Sequence, residues 1–217
     1  MDVLIYGAGT LGRQVYHLIK ELSGISISGF IDDTKPIGTS VFPSLKISEN
    51  KDTLNKKLNT NPNFSHQIGL ILAIGPNNLA ARWKVFNWGV ENGFNFPNII
   101  HPTASVDTSG VMGKGNIILA NATVDYEVSI GDANYLDIGC LVSHNSTIGD
   151  NNFLTTGCAT AGYVKFGNHN FIGMHSTFTD HVEVGSENYF SAKNLVNRNV
   201  SNKRKVVTFH DQKSLPI

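Results

Sequence analysis

Residues 130–154 read IGDANYLDIGCLVSHNSTIGDNNFL. The pattern IGD.N stands at 130–134 and returns at 148–152, eighteen residues on. Outward from that pair, every sixth residue from Ile100 to Val196 is apolar with one exception, Thr160. Neither an α-helix nor a β-sandwich requires a strict period of six over so long a stretch. A triangular β-helix does, because each flat face takes six residues and turns one large side chain inward. Three such faces make a coil of eighteen, and that longer period is also present. Gly113, Gly131, Gly149, Gly167 and Gly185 form one column, and Asn116, Asn134, Asn152, Asn170 and Asn188 form another. The glycines are expected to allow tight or left-handed corners. The asparagines are expected to tolerate the same geometry and to hydrogen-bond along the stack. Cys140 and Cys158 are likewise eighteen apart and are expected to stack in the core as small buried residues.

Residues 1–97 follow a different rule. Val3–Tyr6 is a strand-like run, and TLGRQVYHLIKEL places Leu11, Val15, Leu18, Ile19 and Leu22 at helical spacing. A second strand, SISGFID, ends at Asp32. A helix near residues 51–58, the strand IGLILAIG and a helix over about 78–92 complete a βαβ pattern, which implies a parallel sheet. The chain is thus expected to join an α/β Rossmann-like domain, 1–97, to a β-helix, 98–200, with a divergent tail, 201–217.

The totals narrow the function. Lysine and arginine number 17 against 17 aspartates and glutamates, so a nucleic-acid partner is not expected. No apolar run reaches membrane-spanning length, the two cysteines make no disulfide framework, and the first residues lack a signal peptide's basic start. A cytoplasmic protein without membrane insertion is expected.

YGAGTLG contains Gly7, Gly9 and Gly12 in a GxGxxG arrangement between a strand and a helix. The acidic pair Asp32 and Asp33 lies about twenty residues on. Glycines permit close approach of a phosphate, the helix start favours the anion, and a carboxylate accepts from a hydroxyl. Fewer than a hundred residues precede the β-helix, room for little more than one mononucleotide half, so a nucleotide sugar fits better than NAD. Gly75, Asn77 and Asn78 fall at a strand's carboxyl end and are candidates for contact with base or ribose, or a plain helix cap.

GAGTLG, IDD, AIG.N and HPTASV leading into hexapeptide repeats together resemble the bacterial nucleotide-aminosugar N-acetyltransferases, the bacillosamine and perosamine acetyltransferases, with sialic acid O-acetyltransferases as relatives. The resemblance covers the chain to about Val200. It implies a left-handed β-helix, a homotrimer, acetyl-CoA in a groove between neighbouring β-helices, and a nucleotide-linked aminosugar held by the first domain. In SHNSTIG it assigns His144 as general base, with Asn145 as its orienter. The column of His144 otherwise holds Thr108, Tyr126, Gly162 and Asp180, so the repeat itself does not require a histidine there. Gly162, one coil on, is expected to leave open space and exposed backbone beside the imidazole. Phe153 stands where several family members carry a second histidine that contacts the acetyl donor. With Gly162, Gly173 and His175 it makes up the expected donor-binding set.

The tail lacks the family's G.PA ending, and its Lys203, Arg204 and Lys205 are candidates for CoA phosphates or for a solvated terminus. His169, His175 and His181 differ in phase within the coil, so no metal site is expected. Three readings stay open: transfer of acetyl to a 4-amino group by direct attack, transfer to a sugar hydroxyl on the same fold, and a noncatalytic nucleotide-sugar-binding protein.

Overall fold

The computed structural model describes residues 1–208. Its first half is built on a sheet of five strands in the order β3-β4-β2-β1-β5. These are β1 (Asp2–Tyr6), β2 (Ser26–Ile31), β3 (Ser40–Phe42), β4 (Leu45–Glu49) and β5 (Gly69–Leu72). Strand β1 is buried from Val3 through Tyr6, as expected where helices cover both faces of a parallel sheet. Helix α1 (Thr10–Lys20) turns Val15, Leu18 and Ile19 onto it at i, i+3, i+4 spacing. Helix α2 (Lys51–Thr60) starts at a capping box made by Asn50 and Thr53. A short helix α3 (Phe64–Gln67) follows, and α4 (Leu79–Glu91) closes the domain. The antiparallel pair β3–β4 buries Val41 and Ile47, and the alternation of Leu45, Lys46, Ile47 and Ser48 is that of a strand.

From Ile99 the chain winds into a left-handed β-helix of two-residue strands, each pairing in parallel with the strand eighteen residues away. Three faces result. Face one carries Ser105–Val106, Thr123–Val124, Leu141–Val142, Ala159–Thr160, Thr177–Phe178 and Leu195–Val196. Face two starts at Val111–Met112 and face three at Ile99–Ile100, with five and seven strands. The second residue of each strand points inward, and from Ile118 to Val196 all are buried. Thr160, the polar exception, accepts from the Ser143 N–H through its hydroxyl and so leaves no buried group unpaired.

The asparagine column behaves as a ladder. The Oδ1 of Asn116, Asn134, Asn152 and Asn170 accepts the backbone N–H of the asparagine one coil on, at 2.8 Å from Asn134 to Asn116 and 2.9 Å from Asn170 to Asn152, and Asn188 accepts from the Arg204 N–H. Of the tight or left-handed corners expected, the glycine column has the tight ones. Its backbone is ordinary there, but a Cβ on Gly131 would lie 2.9 Å from the Gly149 carbonyl oxygen. Neighbouring coils are simply too close for a side chain. The left-handed residue falls two places later, at Ala133, Asn151, His169 and Glu187. Cys140 and Cys158 are buried free thiols.

The tail keeps its basic side chains exposed but continues the β-helix in its backbone. Lys205–Val206 pairs with Tyr189–Phe190 as a last strand of face three, reached after sixteen residues rather than eighteen. Residues 209–217 of that tail lie outside the described residues.

The first domain sits on face three. Tyr135, Phe153 and Phe171 stack there, with ring centroids 4.2 and 6.4 Å apart, and Tyr135 and Phe153 join the apolar core that contains Val3, Ile5, Val15 and Ile71. Tyr135 donates its hydroxyl to Oε1 of Gln14 at 3.0 Å. Arg82, fully buried, reaches across from α4 to the Ala133 carbonyl and Asn151.

Candidate active site

The glycines of YGAGTLG have three separate jobs. Gly7 adopts φ +114°, and a Cβ on it would strike the Ala73 carbonyl at 2.5 Å. On Gly12 a Cβ would strike the Gly7 carbonyl at 1.9 Å, so α1 packs against the strand only because that side chain is missing. Gly9 has nothing within 4 Å and opens on the cleft. That cleft, about 330 Å³, is lined by Tyr6, Gly7, Gly9, Asp32, Asp33, Gly75 and Asn78 among others. A second cleft of about 380 Å³ shares Gly9, Ala73 and Gly75 with it. It continues over Thr10, Gln14, Tyr135, Asp137 and Phe153 on face three.

The two aspartates differ. Asp32 is buried, and its carboxylate accepts from the Ala8 N–H, the Thr34 N–H and hydroxyl and the Lys35 N–H. Burial pushes its pKa up, but these donors outweigh burial and hold it below the usual carboxylate value. Three of these donors converge on Oδ1 and only the Ala8 N–H reaches Oδ2, so Asp32 fixes the loop over the cleft while Oδ2 keeps a lone pair for a ligand hydroxyl. Asp33 accepts from the Tyr6 hydroxyl at 2.6 Å and the Lys51 N–H at 2.8 Å, which leaves it lone pairs for a ligand hydroxyl. Asn78 caps α4 by accepting from the Ala81 N–H and lines the cleft, whereas Asn77 is exposed and does not line it.

His144 lies on the edge between faces one and two. Its ring stacks on Tyr126 of the preceding coil, centroids 5.2 Å apart and planes 8° from parallel, and meets the edge of Tyr163 at 5.4 Å. Open space beside the imidazole was the expectation from Gly162. Instead the imidazole itself fills that space: a Cβ on Gly162 would lie 2.5 Å from His144 Cε1. Asn145, held at φ +55°, brings Oδ1 to 3.0 Å from His144 Nδ1, and its Nδ2 donates to the carboxylate of Glu127. Glu127 was not singled out by sequence. Its signal is only that it precedes Asn145 by one coil.

The remaining donor-binding candidates are not brought to this edge. Phe153 lies nine residues from His144, half a coil, and therefore on face three beneath the first domain, with 4% of its surface exposed. Gly173 and His175 lie on the edge between faces three and one, where the His175 ring packs over Gly157. Only Gly162 adjoins the imidazole. In the tail, Lys203 pairs with Glu187 at 3.7 Å and Lys205 lies over the Tyr189 ring, so two of the three cations already have partners within the chain. Among the described residues no group of three or more His, Cys, Asp or Glu side chains could hold a metal, and no helix is long and apolar enough to cross a membrane.

Residues 2–88 match the family model of the PglD N-terminal domain. No curated protein sequence matches the chain. Solved structures share its fold, among them these three. A histidine-to-alanine variant of GDP-perosamine N-acetyl transferase from Caulobacter crescentus, in complex with CoA and GDP-perosamine, is 23% identical with a TM-score of 0.84, covering 96% of this chain and 94% of that one. The acetyltransferase domain of PglB from Neisseria gonorrhoeae, in complex with acetyl coenzyme A, is 21% identical with a TM-score of 0.82, covering 95% and 96%. WeeI from Acinetobacter baumannii is 19% identical with a TM-score of 0.74, covering 96% and 97%. Residues 2–88 are thus similar to the PglD N-terminal domain, they are followed by a left-handed β-helix, and along nearly its whole length the chain has the fold of these acetyltransferases.

Proposed function

We propose that the protein is an acetyl-CoA-dependent N-acetyltransferase that acts on the amino group of a nucleotide-linked amino-dideoxy sugar. The observation that carries this reading is His144. It is an imidazole clamped by Tyr126, Gly162 and Asn145 on a β-helix edge whose repeat does not need it. The nucleotide sits in the cleft of Gly7, Gly9, Asp33 and Gly75, and the sugar extends over Gln14 and Asp137 in the adjoining one. His144 takes the proton of the amine as its nitrogen attacks the thioester carbonyl. The C–N bond forms, the C–S bond breaks, and the proton leaves with the thiolate as CoA. A positioned base contributes roughly 10²–10⁴-fold to such a step. The backbone N–H of Gly162 is the donor for the developing oxyanion.

This reading uses more than one copy. In a three-sided prism the edge between faces one and two is opposite face three, where the clefts open. A sugar held by one chain therefore meets His144 of another. Face one offers the surface for contact: its outward residues Ser105, Thr123, Leu141, Ala159, Thr177 and Leu195 carry no charge, and Leu195 is 69% exposed. A homotrimer closes this arrangement by a head-to-tail contact. CoA binds along the groove between copies, with Gly162 on one wall.

The test is release of CoA from acetyl-CoA with UDP-, dTDP- and GDP-linked aminosugars and their hydroxyl counterparts. Turnover with an amine supports the reading. Turnover with hydroxyl sugars alone, or with none, overturns it in favour of O-acetylation or of binding without catalysis.

A further inference from the structure

The Asn145 amide has two ends, and only its neighbours decide which way it faces. Beside a neutral imidazole alone, either orientation makes one hydrogen bond: Oδ1 accepting from Nδ1–H, or Nδ2 donating to a bare Nδ1. Glu127 removes the ambiguity. Its carboxylate, which only accepts, takes a hydrogen bond from Asn145 Nδ2. The flipped amide would set Oδ1 against that carboxylate with no proton between them. Oδ1 is therefore committed to His144, 3.0 Å from Nδ1, and Nδ1 must carry the proton. The other nitrogen, Nε2, is left with the free lone pair. The left-handed backbone at both Glu127, φ +55°, and Asn145, φ +55°, aligns the two side chains on successive coils of one edge.

We propose that Glu127 is a positioning residue: acting through the Asn145 amide, its carboxylate sets the tautomer of His144 and keeps Nε2 unprotonated. Asn145 and Glu127 together do what one carboxylate beside the imidazole would do. They spare the edge a second charge in contact with the ring. The catalytic consequence rests on the reading of His144 as the base, whereas the tautomer does not.

The experiment compares the parent protein with Glu127→Gln by ring-nitrogen NMR at about pH 8, where an ordinary histidine is neutral. The His144 signals are assigned by their loss in His144→Ala. The expected result is a single tautomer in the parent, protonated at Nδ1. Glu127→Gln, whose amide offers donor or acceptor, gives a mixture of both tautomers. In the same variant kcat falls by the fraction of imidazole whose Nε2 carries the proton, while KM stays unchanged. Thermal melting stays unchanged because Glu127 is exposed. Adding Asn145→Asp to Glu127→Gln places a carboxylate directly on Nδ1 and restores the parent tautomer. A parent protonated at Nε2, or a Glu127→Gln variant with the parent's single tautomer, overturns the proposal. Absence of turnover with every aminosugar overturns the acetyltransferase reading instead, and the NMR comparison still decides the role of Glu127.

Discussion

Nη1 of Arg82 donates to Oδ1 of Asn151 at 2.6 Å, tying α4 of the first domain to the edge of the β-helix between faces two and three. The guanidinium is fully buried, has no carboxylate partner among the described residues, and burial pushes its pKa down to about 9. A buried charge held by neutral acceptors costs much of what its hydrogen bonds return. Arg82→Met keeps the apolar stem and removes the charge, and is expected to lower stability by less than about 1.5 kcal/mol. Arg82→Ala opens a cavity at the domain junction and is expected to cost about 3 kcal/mol. Denaturant unfolding of both variants measures the difference. Equal losses would mean that the hydrogen bonds, rather than the packing, hold the junction.

Asn151 also fixes a histidine. Because its Oδ1 serves Arg82, its Nδ2 must donate, to the Leu79 carbonyl and, at 2.9 Å, to Nδ1 of His169. His169 is therefore neutral there, and burial lowers its pKa below the ordinary 6.5. A base with a depressed folded pKa stabilises the fold fully above the unfolded value and loses that contribution as pH falls through the folded one. Stability is expected to drop on acidification below about pH 6.5. His169→Gln, which accepts at every pH, flattens that part of the profile. The check is the unfolding midpoint followed from pH 7.5 to 5 in both proteins, at about half-unit steps; identical profiles would contradict the assignment.

Gly162→Ala places a methyl group 2.5 Å from His144 Cε1 without straining its own backbone. The imidazole must turn away from Asn145. Activity is expected to fall at least about tenfold, since misplacement of a catalytic group by an ångström costs up to about 10². The melting temperature changes little, because the ring moves toward solvent. Full activity in this variant would show that the clamped position is not the working one.

The asparagine ladder is structural. Asn152 accepts from the Asn170 backbone N–H and amide and donates to Asn134 and the Gly167 carbonyl. Asn152→Ala strands a buried N–H, and is expected to cost about 2–4 kcal/mol. Calorimetry of the variant reads this directly, and a loss under about 0.5 kcal/mol would mean that water replaces the amide.

The β-helix was legible because a six-residue period records local geometry, and Ile130 and Ile148 report the core without knowledge of any other chain segment. His144 stood out for the same reason: its column mates Tyr126 and Gly162 show that the repeat is indifferent there. What sequence misjudged or left open depends on contacts between coils or between domains. Between tight and left-handed corners the sequence leaves the glycine column open, because the 2.9 Å approach of Gly131 to the Gly149 carbonyl has no signature along the chain. The hold of Asp32 on its own loop follows from Thr34 and Lys35 folding back over Oδ1, which no motif encodes. Phe153 is expected with the donor, and half a coil carries it from the His144 edge to face three, where it lines the second cleft. Glu127 escaped notice because it acts across a coil through another side chain.

The central claim is that His144 is the base. It is tested most directly by His144→Ala, assayed for CoA release with the best nucleotide-linked aminosugar and checked for an unchanged thermal shift on binding that sugar. Loss of a general base predicts a fall in kcat of roughly 10²–10⁴-fold with sugar binding retained. Turnover in the variant within about threefold of the parent's would contradict the account, because a fall that small is far below what removing the base of an acyl transfer costs.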